Sequence, residues 1–329
     1  MAVASIVDGT ARVAKVSHST MVRRRFRKQV SGVVSLVVLS LLVLLVIIVP
    51  IFSPFDSYTA NATQAYAPAG TVDSLSGSVH WLGTDFIGRD FLVRLFIGGR
   101  IPLAVSMGAT LLLVIIGTFL GLLAGYYGGW VDIVLMRFTD FILAIPMLPM
   151  YLLVLRWLRE LPGLQPWWKS AEINPPLTLA VITGVFALLG WPGLARLVRS
   201  SVLSLRSQAF VEAAKALGAS NYRIIFKHLL PNSFAPIAVA ATFAVGDFII
   251  LEAILAYFVQ GISEPPFPTW GNMLALVQGL AINVTNLNPF EEIRAYLFLL
   301  PTLMIFLTVI CINYVGDGLR NALDPHGNM

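Results

Sequence analysis

Acidic side chains inside apolar stretches are the first candidates for chemistry in this chain. Asp140, Asp247 and Glu252 each sit within a run of apolar residues long enough to cross a bilayer. A carboxylate at that depth is costly, and by default it marks a solute or ion pathway. The competing reading is that each faces the bundle interior and hydrogen-bonds to a neighbouring helix. Asp247 and Glu252 are the pathway candidates, because Asp140 falls closer to a membrane face. A second cluster, His80, Asp85 and Asp90, has the ligand types for a metal ion. Its spacing fits ion pairing better: Asp85 precedes Arg89 by four residues, and Asp90 precedes Arg94 by four.

Other chemistries lack their residues. No glycine-rich loop ending in Gly-Lys-Ser or Gly-Lys-Thr occurs, so the chain does not cradle a nucleotide by a P-loop. The histidines, His18, His80, His228 and His326, are scattered, and no HExxH is present. The single cysteine, Cys311, lies in an apolar run and excludes a disulfide framework. No catalytic constellation is recognisable, and the chain is expected not to be an enzyme and to hold no cofactor or metal of its own.

The elements that must position these residues are membrane helices. Of 329 residues, 57% are hydrophobic and 12% charged. Soluble domains carry roughly twice that charged fraction. The expected fold is all-α and polytopic, with six transmembrane helices. A basic arm, 1–32, precedes a first span at 33–52. Its run of Arg23, Arg24, Arg25, Arg27 and Lys28 abuts the span, which suits a membrane anchor rather than nucleic-acid binding. Residues 53–102 follow. There Ile87, Phe91 and Leu95 recur every four residues, which predicts an amphipathic helix at the membrane surface. A five-helix core fills 103–315, with spans near 103–126, 133–155, 177–194, 235–259 and 294–315, and a tail covers 316–329. Gly117, Gly121 and Gly125, spaced by four, form a face for close helix packing. Pro146 and Pro149 interrupt the third span, where a kink is expected.

Between the fourth and fifth spans lies a polar loop, 195–234, whose centre is EAAKALGASNYRIIFKHLLPN. Residues 210–217 favour helix. Gly218 is placed for a left-handed stop. Ser220 can cap a second short helix over 221–229, which Pro231 is expected to end. The small side chains of Ala213, Ala214 and Ala216, with Gly218, leave a surface on which another protein could pack closely. An ordinary amphipathic surface helix is the plainer alternative.

This passage resembles the EAA loop of ABC importer permeases, through Glu212, Ala213, Ala214, Gly218, Ile224, Leu230 and Pro231. Two further stretches, HWLGTDFIGRD and GDGLRNALDP, resemble the peptide/nickel branch of that family, and the likeness runs from about His80 to Pro325. The resemblance implies a permease core whose EAA loop is a cytoplasmic coupling helix, docking on an ATPase through Glu212, Ala213, Ala214, Ala216, Leu217, Gly218, Ser220 and Arg223. It implies a homologous second permease, two ATPase subunits that bind ATP and Mg, an external solute-binding protein and a prokaryotic plasma membrane. It implies di- or oligopeptides as cargo, with nickel chelates or oligosaccharides as alternatives within the branch. This chain departs from the pattern at LAYFVQGI, 255–262, and its loops at 156–176 and 282–293 are longer than usual.

Charge placement sets the expected orientation. With the N-terminus inside, 15 of the 22 lysines and arginines fall on the cytoplasmic side. Both termini and the EAA loop are then cytoplasmic. The alternative of a different class, an ion-coupled carrier, calls for paired ionisable groups at mid-membrane and internal repeats, and neither is evident.

Overall fold

A computed structural model describes residues 18–74, 76–161, 175–258, 268–283 and 296–323. Most of the basic arm, the greater part of the two long loops, the second half of LAYFVQGI and the end of the tail lie outside these residues. The described chain is mostly helical, as the apolar runs require, apart from turns and one small hairpin within residues 53–90. The helices are α1 (His18–Lys28), α2 (Val30–Phe52), α3 (Phe91–Ile97), α4 (Arg100–Tyr127), α5 (Gly129–Ala144), α6 (Met147–Glu160), α7 (Pro175–Arg206), α8 (Ala209–Ala216), α9 (Asn221–Ile224), α10 (Phe234–Tyr257), α11 (Trp270–Asn283) and α12 (Tyr296–Leu323). Five helical stretches are long and apolar enough to cross a membrane. They are α2, α3 with α4, α7, α10 and α12. The bent pair α5–α6 makes a sixth if it is one span.

The pair α4 and α7 forms the centre of the molecule, and the glycine face is the reason. A side chain at Gly117 would press on Leu194, one at Gly121 on Val198, and one at Gly125 on Val202. With hydrogen in those places, the two backbones approach until a Cβ at Gly121 would stand 2.6 Å from the Ala195 carbonyl. Dispersion contacts at that spacing hold membrane helices together where the hydrophobic effect cannot. Gly121→Val is therefore expected to destabilise the chain by about 1–3 kcal/mol through overpacking. Gly184→Ala on α7 meets open space and is the control expected to cost nothing. Thermal unfolding of the two proteins in detergent checks the difference.

Several helices depart from their expected ends. Helix α7 runs on to Arg206, twelve residues beyond the expected end of the fourth span at Leu194. Its polar continuation is held by α5, because Arg199 makes a two-pronged ion pair with Asp132 and Arg196 pairs with Asp140. Helix α12 likewise runs on to Leu323, so residues 316–323 of the expected tail are helical. Gly316 lets Phe243 close against it, and Gly318 does the same for Phe26 of α1. The third span does not merely kink. It breaks between Ala144 and Met147, and α6 leaves at 90° to α5.

The amphipathic helix expected across residues 80–103 is corrected. Only α3, seven residues long, is helical before α4 begins at Arg100. The sequence HWLGTDFIGRD forms a compact turn structure behind a hairpin of β1 (Thr71–Val72) and β2 (Val79–His80), paired Thr71 with His80 and Val72 with Val79. Gly83 and Gly88 have φ of +74° and +85°, values that a helix cannot contain. At Gly88 the chain passes so close to Asn61 that a Cβ would overlap its carbonyl. The charged side chains are turned inward. Asp85 pairs with Arg89 at 2.7 Å and with Arg94 at 3.2 Å, and its other oxygen accepts from the amides of Ile87 and Arg89. Asp90 caps α3 by accepting from the Val93 amide, and its second oxygen meets His80 Nδ1 at 2.8 Å. Phe55 stacks on the His80 ring. Trp270, wholly buried, donates to the Leu95 carbonyl and fastens this unit to α11. His80, Asp85 and Asp90 thus hold a fold together: the carboxylates are engaged by arginines, amides and His80 Nδ1, and His80 Nε2 stands 3.8 Å from Asp73. No group of three metal-ligating side chains is suitably arranged among the described residues.

Candidate functional site

The loop between α7 and α10 is built as two short helices around one sharp turn. Helix α8 covers Ala209–Ala216, close to the expected 210–217. Gly218 has φ +76°, and the amides of Gly218 and Ala219 return to the carbonyls of Lys215 and Ala214. This left-handed stop is the local consequence of glycine at that position. Ser220 then caps α9 by accepting from the Arg223 amide. The second helix ends differently from its expected end at Pro231. After α9 the chain widens into a π-turn over Ile225–Leu229, and Pro231 lies in a further helical turn, Leu230–Asn232. Proline is tolerated there because it sits in the first turn, where no amide partner is needed.

One side of this unit is anchored. Val211, Ile224, Ile225 and Leu229 are buried in the same apolar core as α4 and α7. The Tyr126 hydroxyl, at the end of α4, donates to Asn221 Oδ1 at 2.6 Å. Arg206 donates to the Tyr126 carbonyl at 2.9 Å, and Lys215 stands over the Tyr126 ring. These contacts fasten α8 and α9 to the ends of α4 and α7.

The other side is open. Glu212, Ala213, Ala216, Leu217, Gly218, Ser220 and Arg223 are all exposed, with Ala214 partly so. Leu217 is 88% exposed and Tyr222 72%. Large apolar groups presented this freely at a turn mark a contact surface when they cluster, and Phe226 lies against Tyr222. The Glu212 carboxylate makes no hydrogen bond or ion pair with any described residue. Sequence reasoning found the small residues and missed Tyr222, Phe226 and the anchors Tyr126 and Asn221. The spacing of Tyr222 and Phe226, one helical turn apart, was the available signal.

The three acids within the apolar runs have separate fates. Asp140 is explained by its ion pair with Arg196, both side chains being half exposed. Glu252 on α10 is 2% exposed. The Thr269 side chain is near it, yet neither carboxylate oxygen has a partner at hydrogen-bonding geometry. Gly271 of α11 packs directly on the backbone of Ala253 and closes the site. Asp247 is exposed and lines a cavity of about 360 Å³ between α4, α6, α7 and α10. Five residues along a helix turn the direction by roughly 140°, so Asp247 and Glu252 do not form one site.

Comparison with known proteins adds two family matches. Residues 117–326 match the binding-protein-dependent transport system inner membrane component. Residues 18–69 match the N-terminal transmembrane domain of oligopeptide transport permease C. Among similar proteins is a dipeptide transport system permease protein of Alkalihalophilus pseudofirmus, 35% identical over 92% of this chain and 88% of the relative. An oligopeptide transport system permease protein of Haemophilus influenzae is 33% identical over 92% and 87%. A glutathione transport system permease protein of Pectobacterium atrosepticum is 33% identical over 92% and 89%.

Proposed function

Because the chain belongs to the family of inner membrane components of binding-protein-dependent transport systems, we propose that it is one of two permease subunits of an ATP-driven importer of di- or oligopeptides. The observation that carries this reading is the turn at Gly218, open on one side and bolted to α4 and α7 on the other. Such a unit serves as a mechanical link between a partner and the spans. The peptide cargo is supported by the names of the similar proteins, two of which transport dipeptides or oligopeptides.

In this reading a homologous permease completes the pathway, and two ATPase subunits bind ATP and Mg beneath the pair. An external binding protein delivers the solute on the opposite side. The ATPases receive Glu212, Ala213, Ala214, Ala216, Leu217, Gly218, Ser220 and Arg223 in a surface groove. When ATP closes the ATPase dimer, the loop moves with it, and α4 and α7 follow through Tyr126, Asn221 and Arg206. The permease then acts as a bistable element biased by a ligand it does not itself bind. The membrane is the bacterial inner membrane, with both termini and Gly218 cytoplasmic, as the excess of lysine and arginine on that side supports.

Co-purification tests the assembly. Expressed with its genomic neighbours and purified in mild detergent by a tag on this chain, it is expected to bring down a second permease and two ATPase copies. Recovery of this chain alone, folded and monodisperse, overturns the reading.

A further inference from the structure

We propose that Asp247 receives the ammonium group of the transported peptide, in the cavity that it shares with Leu113, Met147, Tyr151, Gly193 and Phe248. The inference rests on the importer reading and adds a residue and a ligand chemistry to it. The cavity lies at the sharp break between α5 and α6, where Met147 begins α6 and the 90° turn leaves room beside α7 and α10. Its lining side chains are apolar except for Asp247 and the Tyr151 hydroxyl. That carboxylate is exposed to the cavity and makes no hydrogen bond or ion pair with any described residue. The one hydroxyl nearby, on Tyr151, is committed to the Phe186 carbonyl. In a membrane span an unpaired carboxylate calls for a cation.

The surroundings decide which cation. A metal ion needs several oxygen or nitrogen ligands, and this wall offers one carboxylate among aliphatic and aromatic side chains. A primary ammonium attached to an organic body needs one carboxylate and apolar contact, and both are present. The volume, about 360 Å³, falls at the small end of ligand sites. It suits the amino-terminal end of a peptide rather than a whole long one. Gly193 borders open space, since a Cβ there meets no described residue within 4 Å. Glu252 takes no part, because it is sealed under α11.

The test uses the full complex, with second permease, ATPases and binding protein, in proteoliposomes. In a Cys311→Ala background, Gly193→Cys supplies a reporter whose labelling by a polar thiol reagent is timed with dialanine or N-acetyl-dialanine present. Dialanine is expected to protect the cysteine, and the acetylated peptide to need at least about tenfold higher concentration, the scale of one lost charged hydrogen bond. Asp247→Asn is expected to raise the dialanine requirement to that of the acetylated peptide. Protection by an N-acetylated peptide carrying lysine assigns the site to side-chain ammonium groups as well. Its absence confines the site to the α-ammonium. Equal protection by dialanine and its acetylated form, or no change on Asp247→Asn, overturns the proposal. ATP-driven uptake is measured in parallel with Gly193 and Cys311 intact, as the ratio of free to acetylated peptide corrected for the affinity of the binding protein for each. A ratio that Asp247→Asn leaves unchanged overturns the proposal even where the cysteine reporter fails to assemble. Absence of any ATP-driven uptake by the unmodified complex instead refutes the importer reading beneath it.

Discussion

Gly218→Val is expected to leave the permease inserted and paired with its homologue, while ATPase docking weakens and substrate no longer stimulates ATP hydrolysis. The reason is local. Gly218 sits at φ +76° in the turn between α8 and α9. A β-branched residue there costs about 1–2 kcal/mol of backbone strain. No described residue lies within 4 Å of the added Cβ. The strain is therefore relieved by moving the exposed turn, not by disturbing the spans. Expressed at the docking surface, it weakens binding by about five- to thirtyfold. Gly218→Asn separates backbone from bulk, because asparagine tolerates the left-handed region, and it is expected to recover most of the coupling. Glu212→Ala is milder still, since it deletes one exposed carboxylate and keeps the backbone path. Subunit stoichiometry and substrate-stimulated ATP hydrolysis of the purified complexes check the series. Full activity of the valine variant would remove this turn from the coupling route.

Asp85→Ala has the largest expected effect on stability. Arg89 and Arg94 are 6% and 1% exposed, and both reach the Asp85 carboxylate. Deleting one partner of a buried ion pair costs about 3–5 kcal/mol, because the remaining charges stay buried without it. The amides of Ile87 and Arg89 lose their acceptor as well. The hairpin unit should come away from α3 and α11, and the heated protein should aggregate at lower temperature. The comparison is Glu160→Ala, which touches an exposed pair with Arg156 on α6 and is expected to cost less than about 1 kcal/mol. Size-exclusion profiles after heating distinguish the two. If Asp85→Ala matches the Glu160 variant, the inward-facing charges do not hold this unit.

These two sites also show how far sequence reasoning reached. The turn at Gly218 was legible because local rules govern it: small helix formers, a glycine stop and a serine cap act over a few residues. The packing face of α4 was legible for the same kind of reason, since glycines spaced by four can only serve one face, whereas its partner, α7, is set by the fold. The segment around HWLGTDFIGRD was misread because Ile87, Phe91 and Leu95 imitate a helical stripe. Gly83, Gly88 and the cap at Asp90 carried the opposite signal, and the structure follows them. Asp85 and Arg89 do pair, but in a turn rather than along a helix. Helix α7 outran its expected end because hydropathy stops at the first arginine, whereas Arg196 and Arg199 are neutralised from α5, a contact invisible along the chain. The surface formed by Tyr222 and Phe226 depends on which side of a short helix the core takes, and only the fold decides that. The break at Pro146 was legible as an interruption, while its 90° turn, and the cavity it opens beside Asp247, required the neighbouring helices.

In the proposed function this chain moves peptides only as part of an ATP-driven assembly. The most direct measurement is uptake of a labelled dipeptide into proteoliposomes, with the complete complex or with this chain alone, in the presence and absence of ATP and of an ion gradient. Uptake by the complete complex is expected to require ATP on the side facing Gly218 and to continue when ion gradients are collapsed. Uptake by this chain alone, driven by a proton or sodium gradient and indifferent to ATP, would contradict it.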